Sequence, residues 1–237
     1  MSEHRAAPSP VQVGLIGLFV TALVTAQVTA SKLLQFGLPV DLPLAGGALV
    51  LPGAALAYAL TFFASDCYAE LYGRRAATVV VNVGFVMNFV LLLLVWSTIE
   101  APALPQAAPG QIDLAAFRSV LGSSTSIVVA SLSAYVVSQN WDVFAFHWIR
   151  EYTGGDHLWL RNVGSTATSQ LIDTVVFILV GFVLLGSTPL SGAVALVAGQ
   201  YVFKLIVAVV DTPFVYAVVG TVRSRKTADA TAYSRPE

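Results

Sequence analysis

Long apolar runs separated by short polar breaks dominate the chain. Six of them, at 11–34, 45–66, 76–98, 119–140, 164–186 and 190–220, carry almost no charge. About 20 helical residues cross a bilayer core of ~30 Å, so each run is long enough to span it. The pattern predicts an all-α fold, a polytopic transmembrane bundle of six helices. The first run follows Arg5 and has the outline of a leader peptide. It is too long for one, lacks a clear cleavage site and is followed by five more runs, so it reads as a span.

Composition agrees. The chain is 57% hydrophobic and 11% charged, against about 25% charged in soluble domains. The net charge is −1 and the sequence shows no basic face, so no nucleic-acid partner is expected. A single cysteine, Cys67, allows no internal disulfide and no thiolate metal cage, and reads as a small apolar packing residue. His4, His147 and His157 fall outside any zinc-binding spacing, and no Gly-rich phosphate loop is present. No nucleophile–base pair is visible either. The expectation is a protein that is not an enzyme, with no metal and no cofactor.

Charge also predicts orientation. With both termini cytoplasmic, nine of the 12 Lys and Arg residues lie on the inner side: Arg5, Arg74, Arg75, Arg150, Arg161, Arg223, Arg225, Lys226 and Arg235. The outer loops hold only Arg118, which is the positive-inside pattern of a cell (inner or plasma) membrane protein. The chain then divides into a cytoplasmic segment (1–10), a transmembrane domain (11–222) and a basic cytoplasmic tail (223–237) expected to lack fixed structure. The outer loop at 99–118, with Pro102, Pro105 and Pro109, reads as an extended cover. The inner loop at 141–163 carries Trp141, Phe144, Trp148 and Tyr152, which suit a membrane interface.

The chemistry lies in the residues that interrupt the spans. An ionisable side chain at the centre of a bilayer costs about 2.5–3.5 kcal/mol on insertion scales. Lys32, Asp173, Lys204 and Asp211 are such residues. Asp173 is roughly 14 Å into the fifth span, at 1.5 Å per residue, and Lys204 is near the middle of the sixth. Neither reaches water by snorkelling, so each must face the bundle interior, a wet cavity or an opposite charge. Thr166, Gln170, Asp173 and Phe177 recur at helical spacing on the fifth helix, and Gln200, Lys204 and Asp211 on the sixth. Ser131, Tyr135, Ser138 and Asp142 do so on the fourth, and Thr25, Thr29 and Lys32 on the first. Stripes of this kind either line a shared polar cavity or glue helices together by hydrogen bonds. A Ser-Gln-x-x-Asp pattern occurs twice, as Ser138-Gln139 with Asp142 and as Ser169-Gln170 with Asp173. Asp66 and Glu70 share one face at the inner end of the second span, beside Arg74 and Arg75. They read as a gate or proton-coupling site or as a solvated helix end.

These signatures resemble a known family. The matching pieces are Ala30-Ser31-Lys32, then Ser65-Asp66-Cys67-Tyr68-Ala69-Glu70-Leu71-Tyr72-Gly73, and Ser138-Gln139 with Asp142. Further on come Trp159-Leu160-Arg161-Asn162, then Ser165-Thr166 with Ser169-Gln170-Leu171-Ile172-Asp173-Thr174, and finally Lys204 and Asp211-Thr212-Pro213 with Tyr216. In that order they resemble the queuosine precursor transporters, six-helix inner-membrane proteins related to vitamin uptake transporters. The resemblance covers about residues 11–222 and departs at Ser65-Asp66-Cys67, where relatives often have a Thr-Asp pair. It implies import of a 7-deazaguanine, such as 7-cyano-7-deazaguanine, for tRNA modification. The alternative it implies is a substrate-binding membrane subunit of an energy-coupling-factor type of vitamin transporter, which needs a separate ATPase. An ATPase partner belongs to that alternative alone, and homo-oligomerisation is left open.

A guanine-like ligand suits the residues. A carboxylate accepts from N1–H and the exocyclic amine, Gln170 or Gln139 pairs with the remaining donor and acceptor, and Lys204 donates to O6. Phe177 or Tyr216 offers a stacking face. The expected substrate-binding residues are therefore Asp173, Gln170, Lys204, Asp211, Gln139, Ser169, Lys32, Phe177 and Tyr216.

Overall fold

The computed structural model describes residues 7–42, 46–154 and 158–233, with side chains described for 7–39, 41, 46–154 and 163–225. Arg5, His4, His157 and Arg235, and the side chains of Trp159, Arg161, Asn162 and Lys226, lie outside the described ones.

The chain enters helix α1 (Pro10–Thr29) through a standard N-terminal signal. Ser9 caps the helix, its hydroxyl accepting from the Gln12 N–H at 3.2 Å, and Pro10 occupies the first turn. A β-hairpin follows, β1 (Leu33–Leu42) and β2 (Gly46–Pro52), paired antiparallel from Leu33↔Pro52 to Gly37↔Ala48. Helix α2 (Ala54–Tyr72) then returns alongside α1. Its far end is tied to the start of α1: the Gln12 amide donates to the Tyr68 hydroxyl at 3.0 Å, and the Ser9 and Tyr72 hydroxyls are 3.0 Å apart. Gly73 alone separates α2 from α3 (Arg74–Glu100). Its φ of 90° is strained for any residue with a Cβ, and glycine makes the reversal possible in one residue.

A loop at 101–113 leads to the short helix α4 (Leu114–Gly122), capped by the Asp113 carboxylate on the Ala115 and Ala116 N–H groups. Helix α5 (Ser124–Tyr152) and helix α6 (Leu158–Ile178) form the most extensively packed pair. A π-helical turn (Leu179–Leu184) finishes α6, where the Leu185 N–H donates to the Val180 carbonyl. Helix α7 (Leu190–Tyr233) closes the bundle and carries Pro213 inside it, which removes one intrahelical donor. Arg223 of α7 donates to the Glu70 carbonyl at 2.8 Å, so the start of α1 and the late part of α7 meet the same end of α2. We call this the termini end, and the other the hairpin end.

The outside of the bundle is apolar. Val79, Val86 and Leu93 on α3 and Val209 and Phe214 on α7 are exposed, a surface that suits lipid tails and not water. Helices α1 and α3, the α4–α5 stretch, α6 with its π turn, and α7 to Arg225 are each long and apolar enough to cross a membrane. Helix α2, the remaining long helix, is matched to α1 along its length but carries Asp66 and Glu70 in its second half.

Three expectations need correction. Residues 30–34 and 46–53, read as helix, belong to the hairpin and its connections. Leucine runs such as 33–34 and 49–51 look alike in a helix and a buried strand, and only packing separates the two. Here Leu49 and Leu51 are buried beside Leu34, Leu38, Val202 and Phe203. A Cβ on Gly199 would run into the Val50 carbonyl oxygen, so β2 lies directly on the backbone of α7. Second, the inner loop expected at 141–163 is mostly helix: α5 continues to Tyr152 and α6 begins at Leu158. Trp141, Phe144, Trp148 and Tyr152 remain exposed along that extension, as interface aromatics would be. Third, the outer loop expected at 99–118 includes α4, which starts at Leu114. Helix α7 itself runs into the segment assigned to the tail, as far as Tyr233.

Candidate functional site

The apolar core between α1, α2, α5, α6 and α7 consists largely of alanines, including Ala26, Ala54, Ala130 and Ala134, closed by Phe177, Ile178 and Leu196. Small side chains let these helices approach closely. Polar groups are set into that core at two levels.

At the first level, Lys204 Nζ of α7 donates to Asp173 Oδ2 of α6 at 2.7 Å. The two side chains are 12% and 29% exposed. Ser138 of α5 is buried and its hydroxyl lies 3.5 Å from Asp173 Oδ1. Three helices thus meet at one carboxylate. The pair is half-buried, Lys204 more deeply than Asp173, and removing one partner from a fully buried pair costs about 3–5 kcal/mol.

The second level is neutral. Gln27 of α1 is fully buried, and neither its Oε1 nor its Nε2 finds a hydrogen-bond partner. Asn88 of α3 is in the same condition, and Ser131 of α5 is buried with an unpartnered hydroxyl. The Tyr58 hydroxyl of α2 approaches Gln27 and Ser131 and feels the Asp173 carboxylate, but completes hydrogen-bond geometry with neither neighbour. Each unsatisfied buried group costs about 1–3 kcal/mol. Ser124, Asp142 and Gln200 each leave one more buried oxygen without a partner.

Of the residues expected at the site, the fold brings Asp173 and Lys204 into contact and adds Ser138. Phe177 is buried in the adjacent core, edge-on to Phe182 at 5.8 Å. Ser169 is buried with its hydroxyl on the Thr166 carbonyl, and Gln170 is half-buried one turn before Asp173's neighbour Thr174. Others go elsewhere. Lys32 is exposed in the turn before the hairpin, its carbonyl accepting from the Gly53 N–H. Thr25 and Thr29 bond their own helix, and the inward residue of α1 is Gln27. Gln139 and Tyr216 are exposed, Tyr216 at 76%. Asp211 is two turns beyond Lys204 and within electrostatic reach of Asp66, not of the ion pair.

Asp66 and Glu70 lie toward the termini end. Glu70 Oε2 is 3.4 Å from the Arg223 guanidinium. Cys67, between them, is buried against Leu15, Tyr68 and Ala77. Among the described residues no group of His, Cys, Asp and Glu side chains is arranged to hold a metal.

At the hairpin end a cavity of about 750 Å³ opens among Ser31, Leu33, Ser126, Phe182, Ser187 and Thr188. Among the described residues no charged one lines it. Sequence reasoning missed Gln27, Asn88 and Tyr58. The available signal was an amide within an apolar run, at position 27 and again at 88.

Long apolar helices with a lipid-compatible exterior, and polar groups gathered inside, are the construction of a multi-pass membrane transporter. Residues 52–218 match the family described as "Putative vitamin uptake transporter". A "Probable queuosine precursor transporter" of Bacillus subtilis (strain 168) is 34% identical over 161 residues, 68% of each chain. No solved structure matches. The chain belongs to this family, the queuosine precursor transporters grouped under that vitamin-uptake description.

Proposed function

We propose that this protein imports a 7-deazaguanine, such as 7-cyano-7-deazaguanine, across the cell membrane for tRNA modification, and that Asp173 and Lys204 hold it during passage. The observation that carries the reading is the 2.7 Å ion pair set into an alanine-rich core between α6 and α7. An ion pair in this position does little for stability that apolar residues of similar volume would not do. It gives a ligand something to replace: the carboxylate accepts two N–H groups of a guanine edge, while the ammonium donates to O6. Gln170 and Ser138 are near enough along their helices to complete the set, and Phe177 closes the apolar side. The queuosine precursor named for the Bacillus subtilis relative belongs to this chemical class.

In this reading all six long helices cross the membrane, α2 included because it is as long as its partner α1. The termini end faces the cytoplasm, since nine of the 12 basic residues then lie inside. The uncharged cavity at the hairpin end is the outer entrance, and Asp66, Glu70 and Asp211 flank the inner exit, where they gate the path or carry protons. Accessibility labelling of a cysteine placed at residue 230 tests the orientation, and labelling from outside the cell contradicts it.

Purified protein in liposomes, given radiolabelled 7-cyano-7-deazaguanine and no ATPase, provides the direct test. Accumulation that requires Asp173 is the expected result. Tight binding without accumulation identifies instead a binding subunit that depends on a separate ATPase.

A further inference from the structure

The cavity at the hairpin end stops short of the ion pair, and two rings close the interval. Phe182 lines the cavity and belongs to the π-helical turn that finishes α6. Phe177 is one turn beyond Asp173 on the same helix, and the two rings meet edge-on at 5.8 Å. Both are buried. From Asp173 to Phe182 is roughly 13 Å along the helix, at about 1.5 Å per residue. Helix α5 runs antiparallel to α6 and marks the same levels. Ser138 faces Asp173, and a Cβ on Gly181 would sit 3.0 Å from the Ala130 Cβ. Ala134 falls between those two levels, buried in one core cluster with both rings. Ser126, one turn beyond Ala130, is on the cavity wall. From the hairpin end inward the order is therefore cavity, Phe182, Phe177 with Ala134, and ion pair. The backbone that carries Phe182 departs from an α-helix. The Leu185 N–H donates to the Val180 carbonyl at 3.0 Å, and the Thr188 N–H reaches back to the Phe182 carbonyl at 2.9 Å, both longer steps than the i→i+4 bond.

We propose that Phe182, backed by Phe177, is the barrier that closes the ion-pair site from the hairpin-end cavity, and that the π turn is the hinge on which it moves. This rests on the transport reading above and adds to it the residues that keep the path shut. A carrier has to close its site at one end while it opens it at the other. A polar solute finds nothing to bond to between two rings packed edge-on, so their contact stops it. The cavity of about 750 Å³ gives the Phe182 ring a place to swing into. The π turn supplies the motion. It holds one residue more than an α-helical turn, and such turns gather at functional sites. Passing that residue on toward 185 rewinds the turn as α-helix and rotates Phe182 away from Phe177 by about 100°, the angular step of one helical residue. Gly186 lets the chain fold back over the Phe182 carbonyl, a contact that any Cβ would obstruct, so the turn ends against the residue that moves. The ion pair then holds the ligand, and the ring pair decides when the cavity communicates with it.

The test follows thiol labelling of purified full-length protein in detergent by a charged methanethiosulfonate reagent. Ser126→Cys reports the cavity, and Ala134→Cys reports the level beneath Phe182. The native Cys67, buried against Leu15, Tyr68 and Ala77 toward the termini end, reports general loosening. With Phe182 in place, the Ser126→Cys thiol is expected to react fast, and the Ala134→Cys thiol and Cys67 slowly. Adding Phe182→Ala should speed the Ala134→Cys thiol by at least about tenfold, equal to ~1.4 kcal/mol of easier opening, and leave the other two rates within about twofold. Melting temperature and monodisperse elution report folding, and Phe182→Val replaces an alanine variant that fails them. Fast reaction of the Ala134→Cys thiol beside an intact Phe182 overturns the barrier. So does a rate that Phe182→Ala leaves unchanged, or an equal acceleration at Cys67, which makes Phe182 a packing residue. In each of these cases the inference fails and the transport reading stands. If liposomes of wild-type protein accumulate no 7-cyano-7-deazaguanine, the transport reading fails and this inference with it.

Discussion

Asp173 and Asp66 are both carboxylates on helices of one bundle, and the fold treats them in opposite ways. Asp173 is half-buried, with a cation at 2.7 Å and a serine hydroxyl beside it. Asp66 is exposed, and its nearest charged neighbours are other acids, Asp211 and Glu70. The Arg223 guanidinium is directed to Glu70 and is itself exposed. The difference follows from depth. A charge surrounded by apolar helices must be neutralised by a partner or by a ligand, whereas acids at a helix end can share water and tolerate one another. A compensated deep pair can exchange partners with a ligand. In the proposed reading, a loose acidic group at the inner exit is suited to passing a ligand and not to holding it.

The strongest challenge to this contrast is Asp173→Asn. It strands Lys204, and the expected cost is about 3–5 kcal/mol of stability together with loss of uptake. Thermal denaturation in detergent and liposome transport measure the two effects separately. Replacing both partners, Asp173→Asn with Lys204→Met, should recover most of the stability and none of the transport. Normal transport by the double variant would show that the pair is only structural.

The depth of the pair is set partly by the contact of α7 with the hairpin, and Gly199 reports on it. Any side chain there meets the Val50 carbonyl with its Cβ alone. Gly199→Val should cost roughly 1–3 kcal/mol through overpacking, seen as a lower melting temperature, with transport reduced alongside. An unchanged melting temperature would mean that the hairpin does not lie on α7 at this point.

At the shallow region the expected effects are smaller. Asp66→Asn relieves repulsion from Asp211, and stability should change by under about 0.5 kcal/mol, as for a surface position. Ligand affinity should stay within about twofold while the transport rate falls. A loss of affinity equal to that of Asp173→Asn would erase the distinction between the two regions. Least affected is Tyr216→Ala, whose side chain is 76% exposed on the outer face of α7. Binding equal to wild type is expected by the same assay, and a clear loss would move Tyr216 into the site.

How much of this was legible beforehand differs by residue. The ion pair could be anticipated, because a lone aspartate and a lone lysine deep in neighbouring apolar runs leave each other as the natural solution. The pairing of Thr25 and Thr29 with a shared interior could not. Their hydroxyls satisfy themselves on their own helix, which leaves the choice of inward face to packing. Gln27, two residues away from either, faces inward because its neighbours Leu23 and Ala26 do.

By itself, then, the sequence determined that this is a bundle of long apolar helices, about where they lie and which charges had to be neutralised, because hydrocarbon imposes those terms residue by residue. Tertiary structure alone decided that 33–52 is a hairpin and not helix, since a leucine-rich run satisfies its backbone in either form until a surface such as α7 selects one. It also decided which acids stand together and that the amides of Gln27 and Asn88 are buried in the core. Those outcomes depend on helix rotation and register, and many small packing contacts set these, not any one residue.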